Sequence, residues 1–191
     1  MRKVIKYAIF KTRWGYFGLA GTEYGLLRTH LPDTERENVK SKLLKNLSFV
    51  NQDSSIGHRA ASIEFDKALF KELQKQIIAY FEGFLVNFEP NLPLVLEGLS
   101  SFSSSALTAC RVIRFGQTIS YSGLARKLGR PGTARAVGSA LAKNPLPLII
   151  PCHRVVRSDG KIGGFSAIGG TNLKAKLLEL EQQVIRDRKS D

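Results

Sequence analysis

Near the start of the chain, apolar residues recur at every second position, and this alternation constrains the fold more than any other feature. It forms three runs, 4–10, 16–20 and 25–31, separated by the turn signals Trp14-Gly15 and Gly21-Thr22. Side chains alternate between the two faces of a strand, so each run predicts a half-buried strand. Together they predict an antiparallel meander.

The spacing of apolar residues becomes helical after the meander. Asp33 is a candidate N-cap for a helix through residue 47, and a second amphipathic helix is predicted over 65–84. The polar segment 51–58 between them predicts a loop, and residues 94–96 predict a last strand.

The second half of the chain has the outline of a helix-turn-helix. A short predicted helix over 120–128 is followed by the tight turn Gly129-Arg130-Pro131-Gly132. Thr133 is a candidate cap for the next helix, which is rich in small residues and runs to Lys143. The other predicted elements are a helix over 100–114, a hairpin or wing over 155–162, a glycine-rich loop over 163–170 and a final helix over 172–185.

Positive charge is concentrated in the second half. The chain carries a net charge of +13, with 14 basic against 11 acidic residues before Ser100 and 15 against 5 from Ser100 onward. No acid occurs between Glu97 and Asp159, where nine basic residues lie. This shift predicts a domain boundary near residues 97–101 and favours a polyanionic partner over an inert basic surface. The nine are Arg111, Arg114, Arg126, Lys127, Arg130, Arg135, Lys143, Arg154 and Arg157.

Several protein classes are disfavoured by the composition. Two cysteines, Cys110 and Cys152, are too few for a disulfide scaffold, and three dispersed histidines give no zinc-binding spacing. No apolar run approaches the roughly 20 residues that span a bilayer. The sequence therefore predicts a soluble intracellular protein without a metal site.

The stretch Pro-Cys-His-Arg-Val-Val at 151–156 contains the candidate nucleophile of the chain. It follows the apolar run 146–150, which predicts a buried segment that delivers Cys152 beside His153 and Arg154. A thiolate is the reactive form of cysteine, and cationic neighbours lower the pKa of a thiol. We therefore expect Cys152 to be an activated nucleophile.

These motifs together resemble one family. Arg135-Ala136-Val137-Gly138, Asn144-Pro145, the stretch 150–156 and the pattern from Lys174 to Glu181 are similar to those of O6-alkylguanine-DNA alkyltransferases, also called methylated-DNA–protein-cysteine methyltransferases. The resemblance is strongest over 101–181. It implies an α+β fold, with a ribonuclease-H-like α/β domain at 1–97 and a winged-helix-like, helix-turn-helix domain at 98–191.

The resemblance also implies the reaction. An alkyl group would pass from guanine O6 in duplex DNA to Cys152, once per molecule, and whether O4-alkylthymine also reacts stays open. His153 would act as the base through a bound water, oriented by Glu181. Asn144 would tie the preceding turn to the site, and Tyr121 would protonate the departing guanine.

Other residues are implied to hold the flipped base. Arg135 would fill the stack that the base leaves. Phe165 would form a wall of the pocket, and the backbone of Ser166 would meet the guanine oxygen. Leu141 and Pro147 would pack near the base, and the backbone of Cys152 and Val155 would bind its edge. Lys174 would reach toward the pocket. Arg154 would support the local fold.

The implied partner is double-stranded DNA that contains alkylated guanine, bound through its minor groove by a monomer in the cytoplasm, or in the nucleus of a eukaryote. No cofactor and no zinc are implied.

Three other functions are alternatives to this one. A lesion-binding protein would lack Cys152, a transcription regulator would need a sensor domain, and a cysteine hydrolase fits poorly with adjacent Cys152 and His153 in a basic segment.

Overall fold

A computed structural model describes residues 4–47, 62–167 and 169–190. The predicted meander is confirmed, with β1 at Val4–Thr12, β2 at Gly15–Thr22 and β3 at Gly25–Asp33. A fourth strand, β4 at Ser62–Phe65, pairs parallel with β1, so the sheet order is β3-β2-β1-β4.

Each face of this sheet carries one helix. Alternate residues of β1, such as Ile5 and Ile9, join the apolar cluster that includes Val39 and Leu43 of α1, Arg36–Leu44. The opposite face contributes to the main core, which includes residues of α2, Lys71–Glu82. The period-2 pattern of the strands therefore produces a sheet covered on both faces.

Three sequence predictions in this half need correction. Asp33 ends β3 instead of capping the helix, and its Oδ1 accepts a hydrogen bond of 3.1 Å from the Glu35 backbone N–H. Phe65 belongs to β4, so the second helix begins only at Lys71. Residues 94–96 form an isolated bridge between Leu94 and Leu26, not a named strand. The predicted loop at 51–58 lies outside the described residues.

The predicted helices of the second half are present. They are α3 at Ser101–Arg111, α4 at Tyr121–Lys127, α5 at Ala134–Leu141 and α6 at Gly170–Ser190. Ser100 and Ser120 cap α3 and α4 by accepting backbone hydrogen bonds. Two short strands, β5 at Ile119–Ser120 and β6 at Val155–Val156, pair parallel and connect α4 to the segment that carries Cys152.

Two details differ from the sequence prediction. Thr133 precedes α5, but its hydroxyl donates to the Arg130 carbonyl at 2.7 Å and does not cap the helix. At 155–162 the structure shows a tight turn after β6, closed by a 3.0 Å bond from Arg157 N to Lys161 O, instead of a hairpin of two strands.

The two halves share one apolar core, and this packing positions the site. Tyr80 of α2 makes an edge contact with Phe115, their ring centroids 5.7 Å apart. Thr29 of β3 bonds across to the loop before Cys152: its N–H donates to Pro145 O at 3.0 Å and its hydroxyl to Pro147 O at 2.8 Å. The cysteine-bearing loop is therefore held by both halves.

No helix in the described part of the chain combines the length and the apolar character needed to cross a bilayer.

Candidate active site

The loop before Cys152 is buried and locally strained. Leu146, Ile149 and Ile150 are core residues, and Leu148 has a φ of 77°, a left-handed conformation that a leucine rarely adopts. Such strain persists only where the surrounding structure enforces it, and it is typical of functional sites. The loop ends in a turn of 3₁₀-helix, Cys152–Arg154, in which all three residues are buried.

Asn144 ties this loop to the sulfur. Its Nδ2 donates to Cys152 Sγ at 3.1 Å and to the Ile150 carbonyl at 2.9 Å, while its Oδ1 accepts from the Leu146 N–H at 2.9 Å. These bonds orient the amide unambiguously, with its NH₂ group toward the sulfur. A donor to sulfur stabilises negative charge that develops there.

Cys152 differs from the sequence expectation in its resting protonation. Burial raises the pKa of the Cys152 thiol, and this outweighs the lowering effects of the Asn144 hydrogen bond and the nearby Lys174 charge. The expectation of a lowered pKa is therefore wrong, because it counted adjacent cations and left out desolvation. The side chain is 8% exposed and rests as a thiol that must be deprotonated for reaction.

Glu181 of α6 is the centre of a buried hydrogen-bond network. Its Oε1 accepts from Tyr80 Oη at 2.8 Å and lies 2.8 Å from His153 Nε2. Arg154 forms a bidentate pair with the same carboxylate, at 2.9 Å to Oε1 and 3.0 Å to Oε2, and the Gly116 N–H donates to Oε2 at 2.9 Å. Every one of these partners can donate, so the site requires an ionised carboxylate.

The protonation of this network follows from its contacts. Burial acts to raise the pKa of Glu181, but hydrogen bonds and charges from His153 and Arg154 outweigh it and lower the pKa to about 2. Burial lowers the pKa of His153 below its usual 6.5, although Glu181 acts in the opposite direction. At neutral pH, His153 is therefore neutral beside an ionised Glu181.

This arrangement determines which nitrogen of His153 carries the proton. With a carboxylate at Nε2, the neutral ring carries its proton on that nitrogen, which leaves the lone pair on Nδ1. Nδ1 is buried and has no hydrogen-bond partner among the described residues. Nδ1 is therefore the ring nitrogen of His153 with a lone pair available to accept a proton.

Tyr121 and Lys174 form a second polar pair beside the cysteine. Lys174 Nζ is 3.4 Å from Tyr121 Oη and also donates to the Val155 carbonyl. Burial raises the pKa of Tyr121, so its phenol stays protonated at neutral pH. Gly163 permits this placement, because a Cβ there would lie 2.6 Å from the Tyr121 ring.

A cavity of about 620 Å³ opens beside Cys152. Tyr121 and Arg135 line it, and Arg135 is exposed at the start of α5. It is large enough for a purine, with the sulfur on one wall and a phenol on another. The predicted site residues that line it are Cys152, Tyr121, Arg135, Leu141, Phe165 and Ser166.

The remaining predicted site residues lie in three other places. His153, Arg154 and Glu181 are buried together and do not line the cavity. Pro147 lines a second cavity of about 380 Å³, together with Asn144, on the side of the N-terminal half. Val155 and Lys174 are buried below Tyr121 and joined to each other.

Sequence reasoning missed Tyr80 and Gly116 as contributors to the site. Tyr80 lies on the apolar stripe of α2, and its partner Glu181 is 101 residues away. A fully buried tyrosine needs a partner for its hydroxyl, which was an available signal. Gly116 has a φ of 72°, and that conformation turns its N–H toward Glu181.

Comparisons with known proteins agree with this chemistry. The family model described as 6-O-methylguanine DNA methyltransferase, DNA binding domain, matches residues 101–183. A methylated-DNA–protein-cysteine methyltransferase of Methanosarcina barkeri is 41% identical over 145 residues, which are 76% of this chain and 88% of the relative. One from Methanosarcina acetivorans is 34% identical over 175 residues, 92% of this chain and 97% of the relative.

Solved structures show the same fold. A crystal structure of Mycobacterium tuberculosis OGT in complex with DNA matches with a TM-score of 0.71 and 32% identity, covering 94% of each chain. The O6-methylguanine-DNA methyltransferase of Pyrococcus kodakaraensis matches with a TM-score of 0.64 at 21% identity, covering 93% of this chain and 99% of the other. The second likeness bears on the fold alone.

Proposed function

The chain belongs to the methylated-DNA–protein-cysteine methyltransferase family, and from that membership we propose that it repairs O6-alkylguanine in duplex DNA by moving the alkyl group onto its own Cys152. The observation that carries the proposal is the position of Cys152. Cys152 lines a purine-sized cavity, its sulfur accepts a hydrogen bond from Asn144, and the next residue, His153, is paired with the buried Glu181. Relatives that align with 76% and 92% of this chain carry the same activity in their names.

The proposed reaction has one displacement and two proton movements. His153 takes the thiol proton through a water, and Glu181 stabilises the imidazolium that results. The thiolate attacks the alkyl carbon in line, so that the S–C bond forms as the C–O6 bond breaks. Tyr121 gives a proton to the departing guanine, and Lys174 supports the phenolate by charge. The thioether product is stable, so each molecule reacts once.

The helix-turn-helix supplies the DNA surface in this proposal. Arg126, Lys127 and Arg130 are exposed on α4 and the turn after it, and Arg135 begins α5 at the edge of the cavity. Basic side chains on one face bind phosphates, and binding of this kind weakens with salt. We place this face in the minor groove, with the damaged base flipped into the cavity.

The proposal divides the chain at about residue 97. Residues 1–97 form the supporting domain, and 98–191 bind DNA and accept the alkyl group. Thr29 and Tyr80 support this division of roles, because both reach across to the loop and the carboxylate that position Cys152. Because the proposed substrate is DNA, we expect the protein in the compartment that holds the DNA, which is the cytoplasm in a prokaryote.

Transfer of label from DNA to protein tests the function. The protein is incubated with duplex DNA that carries O6-methylguanine with an isotopically labelled methyl group, and intact and peptide masses are measured. We expect one labelled methyl group per molecule, on Cys152, and no further turnover when fresh DNA is added. Sustained turnover, or methyl groups that stay on DNA, would contradict the proposal.

Arg135→Ala tests the flipping step. We expect single-turnover repair of duplex DNA to slow about 30-fold. Unstacking the base costs a few kcal/mol, and Arg135 would offset roughly 2 kcal/mol of this cost, so its loss reduces the population of flipped base by that factor. Folding should be retained, since the side chain is exposed. The measurement is the rate of methyl transfer at saturating DNA, in rapid-quench experiments.

Arg126→Ala is the matched control for this experiment. Arg126 is also an exposed arginine of the same motif, but it does not line the cavity. It should weaken DNA binding and leave the saturated rate unchanged. The defect of Arg135→Ala should also shrink on single-stranded DNA, where stacking is weaker; an equal loss on both substrates would rule out the flipping role.

A further inference from the structure

Tyr80 of α2 carries a hydroxyl from the N-terminal half into the network around Glu181. Its side chain is fully buried. Ring contacts with Phe81, Phe88 and Phe115 surround it, at centroid distances of 5.2, 6.3 and 5.7 Å. Because these contacts restrict the phenol, the packing of the core fixes the position of Tyr80 Oη relative to the carboxylate.

Three donors share one oxygen of that carboxylate. Tyr80 Oη donates to Glu181 Oε1 at 2.8 Å, and Arg154 Nη2 donates to it at 2.9 Å. His153 Nε2 lies 2.8 Å from the same atom. A carboxylate oxygen has about two lone-pair directions, so the three donors compete for its negative charge. The hydrogen bond from Tyr80 therefore reduces the charge that Oε1 presents to His153.

Tyr80 keeps its proton while the charge of the network changes. Burial and the neighbouring Glu181 charge raise the pKa of the Tyr80 phenol well above its usual value, and they outweigh Arg154, which acts in the opposite direction. Tyr80 is therefore a donor both before and after His153 is protonated. The imidazole is the group of the network that gains a charge during the proposed reaction.

Other ionisable groups around the turn 152–154 oppose protonation of His153 or carry no charge. Burial lowers the pKa of His153 most, and the charges of Arg154 and Lys174 act in the same direction, against Glu181. Cys110 of α3, the helix packed against this turn, stays a thiol because burial raises its pKa. The strength of His153 as a base therefore depends on how much negative charge Glu181 presents to it.

We propose that Tyr80 is a positioning residue for the proton-transfer step: its hydroxyl fixes Glu181 Oε1 against His153 and limits the negative charge that the imidazole faces. The inference rests on the proposed alkyl transfer and extends its machinery into the N-terminal half. In this step the thiol proton of Cys152 moves to His153 Nδ1, and the O–H bond of Tyr80 stays intact. Without Tyr80, Glu181 would stabilise the imidazolium more strongly, and less of His153 would be neutral and able to act as a base.

Tyr80→Phe tests this role because it removes the hydroxyl and keeps the ring. In protein with ¹⁵N-labelled histidine, the proton signal of His153 Nε2–H should move downfield, since this N–H no longer shares Oε1 with the phenol. The second readout is the rate of methyl transfer in rapid-quench experiments at a series of pH values. The acid side of this profile, where His153 becomes protonated, should move up by about 0.5 pH units, which is less than the net contribution of one hydrogen bond. At higher pH the rate should stay within about threefold of the wild type, because the base is stronger by only that factor.

Two further variants complete the experiment. 3-Fluorotyrosine at position 80 keeps the hydroxyl and makes it a stronger donor, so both effects should reverse: the His153 signal should move upfield and the acid side of the profile should move down. Tyr7→Phe is the matched control, since Tyr7 is also buried but belongs to the apolar cluster on the opposite face of the sheet. It should leave both readouts unchanged.

A purely structural role of Tyr80 predicts a different result. Tyr80→Phe would then slow transfer equally at every pH and leave the His153 signal in place, and this outcome overturns the inference. The NMR measurement needs no DNA, so it separates the two proposals. If the wild type transfers no methyl group while the His153 signal responds to Tyr80→Phe, the repair function fails and the effect of Tyr80 on the network stands. If transfer is normal and the signal does not respond, only the role of Tyr80 fails.

Discussion

Replacing Cys152 with serine is expected to abolish alkyl transfer and to leave DNA binding intact. A serine hydroxyl has a far higher pKa than a thiol and is a weak nucleophile unless a base activates it. His153 has to deprotonate a thiol whose pKa is already raised by burial. The pKa of a serine hydroxyl is higher still, too high for His153 to convert it to the reactive anion. Asn144 can donate to the serine oxygen as it does to the sulfur, so the loop should keep its conformation.

Mass spectrometry and DNA titration together test this expectation. The serine variant should carry no methyl group after incubation with O6-methylguanine DNA, and its dissociation constant, measured by fluorescence anisotropy at several salt concentrations, should match the wild type. Cys110→Ala is the control. Cys110 is buried in the core, and its pKa is also raised by burial, so the variant should still accept one methyl group. A methyl group found on the serine variant, or loss of its DNA binding, would contradict the role given to Cys152.

The parts of the fold that sequence could predict are those fixed by short-range spacing. The meander and the helix at 71–82 follow from alternation and helical periodicity within a few residues. The same spacing wrongly extends the helix back to Phe65, because apolar residues at 65 and 69 fit a helix as well as they fit a strand and a turn. Parallel pairing of Val4 with Ser62 decides between them, and local periodicity carries no information on such pairing.

The electrostatics of the candidate site also depend on contacts that local sequence does not show. Adjacent His153 and Arg154 suggest an activated thiol, yet both side chains turn away from the sulfur to Glu181. Glu181 compensates the charge of Arg154, His153 is neutral, and desolvation sets the resting state of Cys152. The resemblance to a family implies that Glu181 orients His153, and the two side chains lie 2.8 Å apart. The contribution of Tyr80 depends on how the two halves pack, which the sequence alone does not show.

Glu181→Gln is expected to be the most destabilising single change in the site. An amide keeps the shape but has one acceptor oxygen, and its NH₂ group must then face a donor such as the Gly116 N–H or Arg154. Arg154 also loses its counter-charge in a buried position. Removing one partner of a buried ion pair typically costs about 3–5 kcal/mol.

The stabilisation that Glu181 provides should depend on pH and decrease as the pH falls. The pKa of Glu181 is lowered from 4.5 to about 2 on folding, so its contribution is complete above pH 4.5 and is lost as the pH falls toward 2. That shift corresponds to about 3 kcal/mol. Urea denaturation at a series of pH values should show that the difference between wild type and Glu181→Gln shrinks by about this amount between pH 5 and pH 2.

Two milder variants show whether the carboxylate itself is responsible. Tyr80→Phe removes one donor and keeps the charge, so it should cost about 1 kcal/mol and preserve the pH dependence. Glu72→Gln removes a fully exposed carboxylate that pairs with Lys75, and it should change stability little at any pH. Alkyl transfer should slow about 100-fold in Glu181→Gln, because a neutral amide no longer stabilises the imidazolium that forms when His153 takes the thiol proton. If Glu181→Gln behaves like Glu72→Gln in both stability and rate, the buried carboxylate is not what holds His153 in place behind Cys152.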